Sequence, residues 1–187
     1  MSNLSPKSIR GFTLVEVLIA FIILSFGLLG AVALQAKAKQ ASFDAMQRSA
    51  AIALGNDIIQ RMRANDDAGL TARYNGNFTS DDKLNKQLRC YSNVCTAAEI
   101  AALDKQQWIR AIQARENTGA LDDATVCINN QADAARGSNA FNLEVIISWQ
   151  GRQEYTATGD TAAIKCGANN KKRRVVVLTS FMYLRAS

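Results

Sequence analysis

Residues 12–34 read FTLVEVLIAFIILSFGLLGAVAL, 23 residues with Glu16 as the single charge. As a helix rising about 1.5 Å per residue, this run covers roughly 34 Å. That is enough to cross a hydrocarbon core about 30 Å thick. Core helices of soluble proteins seldom run this far without a charge, so a membrane span is the expected reading. Lys7 and Arg10 stand in front of it, a bias that places the N-terminus in the cytoplasm and the bulk of the chain outside. A secretory signal would have a shorter apolar stretch followed by a small-residue cleavage site. No such site is evident in residues 25–36, where Ser25, Gly27, Gly30, Ala31 and Ala33 are scattered through apolar sequence.

The rest of the composition narrows the class. The chain has 187 residues, 48% of them hydrophobic, with one Pro and eleven Gly. This length suits one ordinary domain and excludes a large multidomain enzyme. There is no His, so the commonest general base and the commonest neutral metal ligand are missing. No Gly-rich phosphate loop and no Ser/His/Asp set is present. The expectation is therefore a protein that is not an enzyme, with no catalytic residues, no metal and no cofactor. The net charge of +6 is uneven. Residues 35–65 hold five basic and two acidic groups, whereas residues 66–187 hold 15 and 13.

Glu16 is the anomaly. It lies near the start of the apolar run, with no cation between it and Lys37. An unpaired carboxylate in a membrane costs roughly 2.5–3.5 kcal/mol on insertion scales. A cut after Gly11 would give Phe12 a free ammonium one helical turn before Glu16, on the same face. That charge could neutralise Glu16 of the same chain or of a staggered neighbour, and Glu16 would also lie near the positive end of the helix dipole.

Arg10-Gly11-Phe12-Thr13-Leu14-Val15-Glu16 resembles the processing site of type IV pilins and pseudopilins. The resemblance implies a basic leader, residues 1–11, removed by a prepilin peptidase after Gly11. It also implies N-methylation of Phe12 as the mature N-terminus, and a role for Glu16 in filament assembly. One departure stands out. Major pilins usually carry a helix-kinking Pro in the apolar segment, and here Pro6 in the leader is the only Pro. Gly27 and Gly30, each about 1 kcal/mol less favourable than Ala in a helix, are where local melting in a filament is expected.

Helical periodicity continues past the membrane. Phe43, Met46, Ala50, Leu54, Ile58 and Met62 form an apolar stripe. Asp44–Arg48 and Asp57–Arg61 are i,i+4 pairs of favourable order. Asn65 and Gly69 are stop signals. The expected helix runs over residues 12–65, the hydrophobic segment over 12–34 and its amphipathic continuation over 35–65. Residues 66–89 read as loop with short turns. Thr96-Ala97-Ala98-Glu99 is a capping box opening a helix over 97–115, with Ile100, Leu103, Trp108 and Ile112 as buried positions. Phe141–Trp149 alternates except at Ile146 and reads as a half-buried strand. Residues 152–158 read as a weaker strand around Tyr155. Residues 174–184 are apolar on both faces, which predicts a central or doubly covered strand. The fold expected is α+β, a long N-terminal helix whose C-terminal half packs on an antiparallel sheet in a head of residues 66–187.

Cys90, Cys95, Cys127 and Cys166 allow three pairings. Cys90 and Cys95 enclose a small polar loop, and Cys127 and Cys166 flank two predicted strands. Cys90–Cys95 with Cys127–Cys166 is the favoured pairing, and an oxidising periplasm would preserve it. Asp66-Asp67, Asp81-Asp82 and Asp122-Asp123 read as solvated turns. Lys171-Lys172-Arg173-Arg174 reads as a solvated hairpin tip, with contact to DNA or an anionic surface as the alternative.

Asp57-Ile58-Ile59-Gln60-Arg61-Met62-Arg63-Ala64-Asn65 resembles the D-x-x-x-R-M-R-A-N stretch of PilV-type minor pilins, and the head resembles theirs more loosely. This implies a minor pilin that joins a type IV pilus, in a tip or initiation complex supporting assembly, twitching motility and adhesion. Its implied partners are other minor pilins, the major pilin and the prepilin peptidase/N-methyltransferase, with nucleic acid not expected. It would be single-pass in the inner membrane with the head in the periplasm, then on the surface pilus. The alternatives are a type II secretion pseudopilin and a membrane-anchored ligand- or DNA-binding protein.

Overall fold

The computed structural model describes residues 11–84, 90, 92–156 and 159–185. The chain divides into two compact units, Met1–Phe43 and Asp44–Ser187. Helix α1, Leu14–Ala64, runs without interruption from the first into the second. It is the one helix among the described residues long and apolar enough to cross a membrane. In the first unit every described side chain from Gly11 to Ser42 is exposed.

The second unit is α+β. After α1 come α2 (Leu70–Tyr74), β1 (Gly76–Thr79), α3 (Ala97–Asn117), β2 (Asp122–Ala132), β3 (Ala140–Gln150), α4 (Asp160–Ala163) and β4 (Arg173–Tyr183). The four strands form one antiparallel sheet in the order β1-β2-β3-β4. Strand residues alternate between the two sheet faces. The inner face presents Phe78, Val126, Ile128, Leu143, Val145, Ile147, Val176 and Met182 to one core shared with α1 and α3. Gly55 sets how closely α1 approaches this face, because a Cβ there would lie 2.5 Å from Leu178 Cδ1 and 3.3 Å from Ile147 Cδ1.

Helix α3 has its expected cap. The Thr96 hydroxyl accepts from Glu99 N–H, and the Glu99 carboxylate accepts from Thr96 N–H at 2.8 Å. At the other end Gly119 has φ +70°. Its N–H donates to Glu116 O, and the Ala120 N–H donates to Arg115 O. These paired bonds close the helix at a left-handed residue that favours glycine.

Several local expectations change. The buried stripe of α1 is Gln47, Ala51, Leu54, Gly55, Ile58, Ile59 and Met62, whereas Met46 is 49% exposed. The stripe is rotated because Gln47 is satisfied inside, donating to Gly119 O and accepting from Trp149 Nε1–H, each at 3.3 Å. The Asp44–Arg48 pair does not close to ion-pair distance, while Asp57–Arg61 does at 3.0 Å. In α3, Trp108 and Ile112 are buried, but Ile100 is exposed and Asp104 is buried. The stretch expected as loop contains α2 and β1 up to Thr79, and its residues 85–89 lie outside the described set. Residues 152–156 are irregular, not a strand, and 157–158 lie outside the described set.

Strand β4 is an edge strand, so of the two readings offered for its apolar residues, central or covered on both faces, the second applies over part of its length. Val177 is 41% exposed and Tyr183 60% exposed. Its second apolar face has a local cause. Ile146 and Val175 cover the Cys127–Cys166 disulfide together with Ile164, forming a small cluster on the outer face. Residues 159–167 cross that half of the sheet. Gly167, at φ +71°, abuts Ser148 and Thr125, where no side chain would fit. This cover explains why Ile146 and Ser148 are buried in a strand expected to be half exposed.

Candidate functional site

The processing site lies at the start of α1. Gly11, Phe12 and Thr13 precede the helix, so the Gly11–Phe12 bond is outside helical hydrogen bonding. Thr13 acts as the cap. Its Oγ1 accepts from Glu16 N–H at 3.3 Å, and its carbonyl accepts from Val17 N–H at 3.3 Å. Thr13-x-x-Glu16 is thus a second capping-box sequence, a signal that was legible beside the anomalous carboxylate. Glu16 occupies the first turn, where the helix dipole favours an anion. On the same face stand Phe12, Ala20 and Leu24, which line a shallow groove with Val17 and Phe21. Lys7 and Arg10 lie outside the described residues. Helix α1 continues through Gly27 and Gly30, and the Ser25 hydroxyl donates back to Phe21 O at 2.7 Å.

The stretch Asp57–Asn65 forms a polar clamp within the second unit. Asp57 Oδ2 accepts from Trp108 Nε1–H at 2.9 Å. Arg61 donates to Asp57, to buried Asp104 at 3.1 Å, and to Gln107. Met62 is buried in the core. Arg63 Nη2 donates to Ser180 Oγ at 2.7 Å and to Phe181 O at 3.2 Å. The Asn65 amide donates to Tyr74 Oη at 2.9 Å and to Ala97 O at 2.8 Å. Tyr74 Oη–H in turn donates to Asp104 Oδ2 at 2.8 Å. Asp57, Arg61, Arg63 and Asn65 therefore tie the end of α1 to other elements, Asp57 and Arg61 to α3, Arg63 to β4, and Asn65 to α2 and the start of α3. Sequence reading found the motif but missed its partners Tyr74 and Asp104, which carry no local pattern.

The electrostatics follow from these contacts. Burial works against the Arg61 charge, but hydrogen bonds and charge attraction from Asp104 and Asp57 outweigh it and raise its pKa. Burial, with the adjacent Asp104 carboxylate, pushes the Tyr74 phenol up, so it stays a donor. Arg185 holds Asp66 below the usual carboxylate range. The Gly69 N–H and Arg73 do the same for Asp67. These aspartates are consumed in turns and ion pairs.

Both disulfides join neighbouring structure, Cys90 to Cys95 and Cys127 to Cys166. The basic run is divided in use. Arg173 is buried and donates to Ile164 O at 2.7 Å and Thr161 O at 3.2 Å. Arg174 donates to Gln153 O at 3.0 Å and lies 5.4 Å above the Tyr155 ring. Only Lys171 and Lys172 of the four are fully exposed, a poor basis for phosphate binding, which needs several free cations.

Residues 33–106 match the family model described as Type IV pilin Tt1218, and residues 6–32 match that of the prokaryotic N-terminal methylation motif. No curated protein and no solved structure matches the chain. The adjoining matches make residues 6–106 similar to an N-terminal methylation motif followed by a type IV pilin domain, and the α+β fold, a long N-terminal helix with a four-stranded antiparallel sheet, is consistent with that likeness. The stretch similar to the Tt1218-like model contains Asp57, Arg61, Asn65, Tyr74 and Asp104 of the clamp. Type IV pilins are structural proteins. The motif implies processing by prepilin peptidase and assembly with other pilins.

Proposed function

We propose that the chain is a PilV-type minor pilin, cut after Gly11, methylated at Phe12 and incorporated into a type IV pilus within a tip or initiation complex. There it supports pilus assembly, twitching motility and adhesion. Before assembly it spans the inner membrane once with its head in the periplasm. The observation that carries this reading is the first unit itself, exposed apolar side chains from Phe12 to Leu34 with Glu16 as the lone carboxylate. A helix apolar on all sides needs lipid or like helices around it. Lateral packing of such helices drives assembly, and the amine exposed at Phe12 compensates Glu16 of the same or an adjacent subunit. The clamp at Asp57–Asn65, with its resemblance to the PilV-type motif, supports the finer assignment.

Mass analysis of protein isolated from cells tests the first step. A mature chain beginning at methylated Phe12 is expected, and a chain that still begins upstream of Phe12 removes the mechanism. Glu16→Ala is expected to reduce incorporation into sheared pili while the head keeps its thermal midpoint. Normal incorporation in that variant would count against charge compensation. Loss of protein secretion with intact surface pili in a deletion strain would instead mark a secretion pseudopilin.

A further inference from the structure

Among the described residues, the outer face of the sheet is covered over only one half. Where the Cys127–Cys166 strap ends, the face opens into a groove of about 430 Å³, within the rough 300–1,000 Å³ range of small-molecule sites. Two cross-strand rows line it. Asn129, Glu144 and Thr179 stand abreast on β2, β3 and β4, and Gln131, Asn142 and Phe181 form the next row. The lining is amide-rich, with the hydroxyls of Thr179 and Ser180, a single carboxylate and no lysine among the described residues.

Part of this lining is held in place. The Asn129 amide donates to Glu144 Oε1 at 3.1 Å, and the Asn142 amide donates to Asp133 Oδ2 at 3.3 Å. Among the described residues, the side chains of Gln131 and Thr179 have no partner. Phe181 supplies an apolar wall at one end. Arg136 lies over its ring at 4.9 Å, and Tyr183 meets it edge-on at 4.9 Å.

The geometry points to a binding site for a neutral saccharide. Amides donate and accept at once, and a carboxylate accepts two bonds, which matches the paired donor and acceptor demands of neighbouring sugar hydroxyls. The Phe181 ring offers the apolar surface that a sugar's C–H face requires. An anionic ligand would need a free cation, and the cations nearest the groove among the described residues are engaged, Arg136 with Asp133 at 3.7 Å and with Phe181, and Arg63 with Ser180 Oγ and Phe181 O. The site lies wholly in the second unit and does not depend on pilus incorporation, so the two readings fail separately.

The test uses the full chain in a detergent without a sugar headgroup. Saturation-transfer NMR is run with lactose, cellobiose and N,N′-diacetylchitobiose, and with a sulfated heparin disaccharide as the anionic comparison. Transfer to at least one neutral disaccharide is expected. Preference for the acetamido sugar would indicate a cell-wall type of glycan, and preference for the plain hexoses a surface polysaccharide. Asn142→Ala and Phe181→Ala should each weaken binding by about tenfold, and Lys171→Ala should leave it unchanged. Gln131→Ala, at an exposed position, serves if either groove variant alters the thermal midpoint. Absence of transfer to all three neutral sugars, binding of the sulfated sugar alone, or binding insensitive to folded groove variants would overturn the assignment.

Discussion

Within α1, the residues up to 43 and those from 44 onward share one continuous backbone but have opposite side-chain environments. Phe21, Ile22, Phe26 and Leu29 of the first stretch are exposed, whereas Ala51, Leu54, Ile58 and Met62 of the second are buried in the core. The first is apolar on every side as far as Leu34, apart from Glu16. The second is apolar on one stripe, with Asp57, Arg61 and Arg63 placed to bond other elements. Total hydrophobicity therefore does not decide which part folds into the head. Angular distribution does, because one packing surface can cover only one stripe. A uniformly apolar helix is left for a solvent that is apolar all round.

Matched substitutions should break this comparison most sharply. Ile58→Ala, at a side chain with 0% exposure, is expected to lower head stability by about 2–4 kcal/mol through lost burial and a residual cavity. Ile22→Ala, at 55% exposure, should change it by less than about 0.5 kcal/mol. Chemical denaturation of the full chain in micelles measures both, and equal losses would erase the distinction between the halves. Asp104→Ala comes next, expected at about 1–3 kcal/mol because it strands the buried Tyr74 hydroxyl. Arg61 would keep Asp57, and its 38% exposed side chain draws on solvent, which favours the lower end. Gln47→Ala should cost about 1 kcal/mol and shift the fluorescence of Trp149, whose indole N–H loses its acceptor.

The smallest effect is in pH. Glu99, Asp66 and Asp67 have folded pKa values held below their ordinary 4.5, 3.8 and 3.8. In that window the unfolded chain binds more protons than the folded one. Stability should therefore be full above about pH 5 and decline as pH falls through 4.5 and below. Tyr74 has the opposite sign. Its folded pKa is raised above 10.0, so its contribution is present below pH 10 and is lost as pH rises beyond it. Thermal midpoints across pH 2–11 check both arms, and Tyr74→Phe should flatten the alkaline one.

The features legible in the sequence are those written locally. The apolar run, the long helix and the Thr96–Glu99 capping box each depend on neighbours within a turn or two, and each is present. Burial phase was not legible. Gln47 displaces Met46 from the core because its amide is satisfied by Gly119 and Trp149, 72 and 102 positions away. Strand β2 went unread because Asp122-Asp123 and Asn129-Asn130 frame a short apolar alternation at Ala124, Val126 and Ile128. Asp123, at φ 46°, also sits in a register shift that breaks the period. The apolar residues of β4 left two readings open, a central strand or one covered on both faces, and the sequence could not choose between them because the cover is a disulfide-held strap and not another strand. At the clamp, the D-x-x-x-R-M-R-A-N pattern marked one side of the contact. Its other side is scattered over Ala97, Asp104, Trp108 and Ser180.

The latch between Arg63 and Ser180 spans 117 positions, and that between Asp66 and Arg185 spans 119. During synthesis the helix emerges early, yet the residues that hold its end emerge more than a hundred positions later. Until then the stripe from Ala51 to Met62 lacks the part of its cover that β4 supplies, and contacts between residues so far apart in sequence form slowly. Translation products stopped before residue 173 would lack β4, leaving Arg63 and Asp66 unlatched and one flank of the apolar stripe open, the kind of surface that quality-control proteases and holding chaperones select.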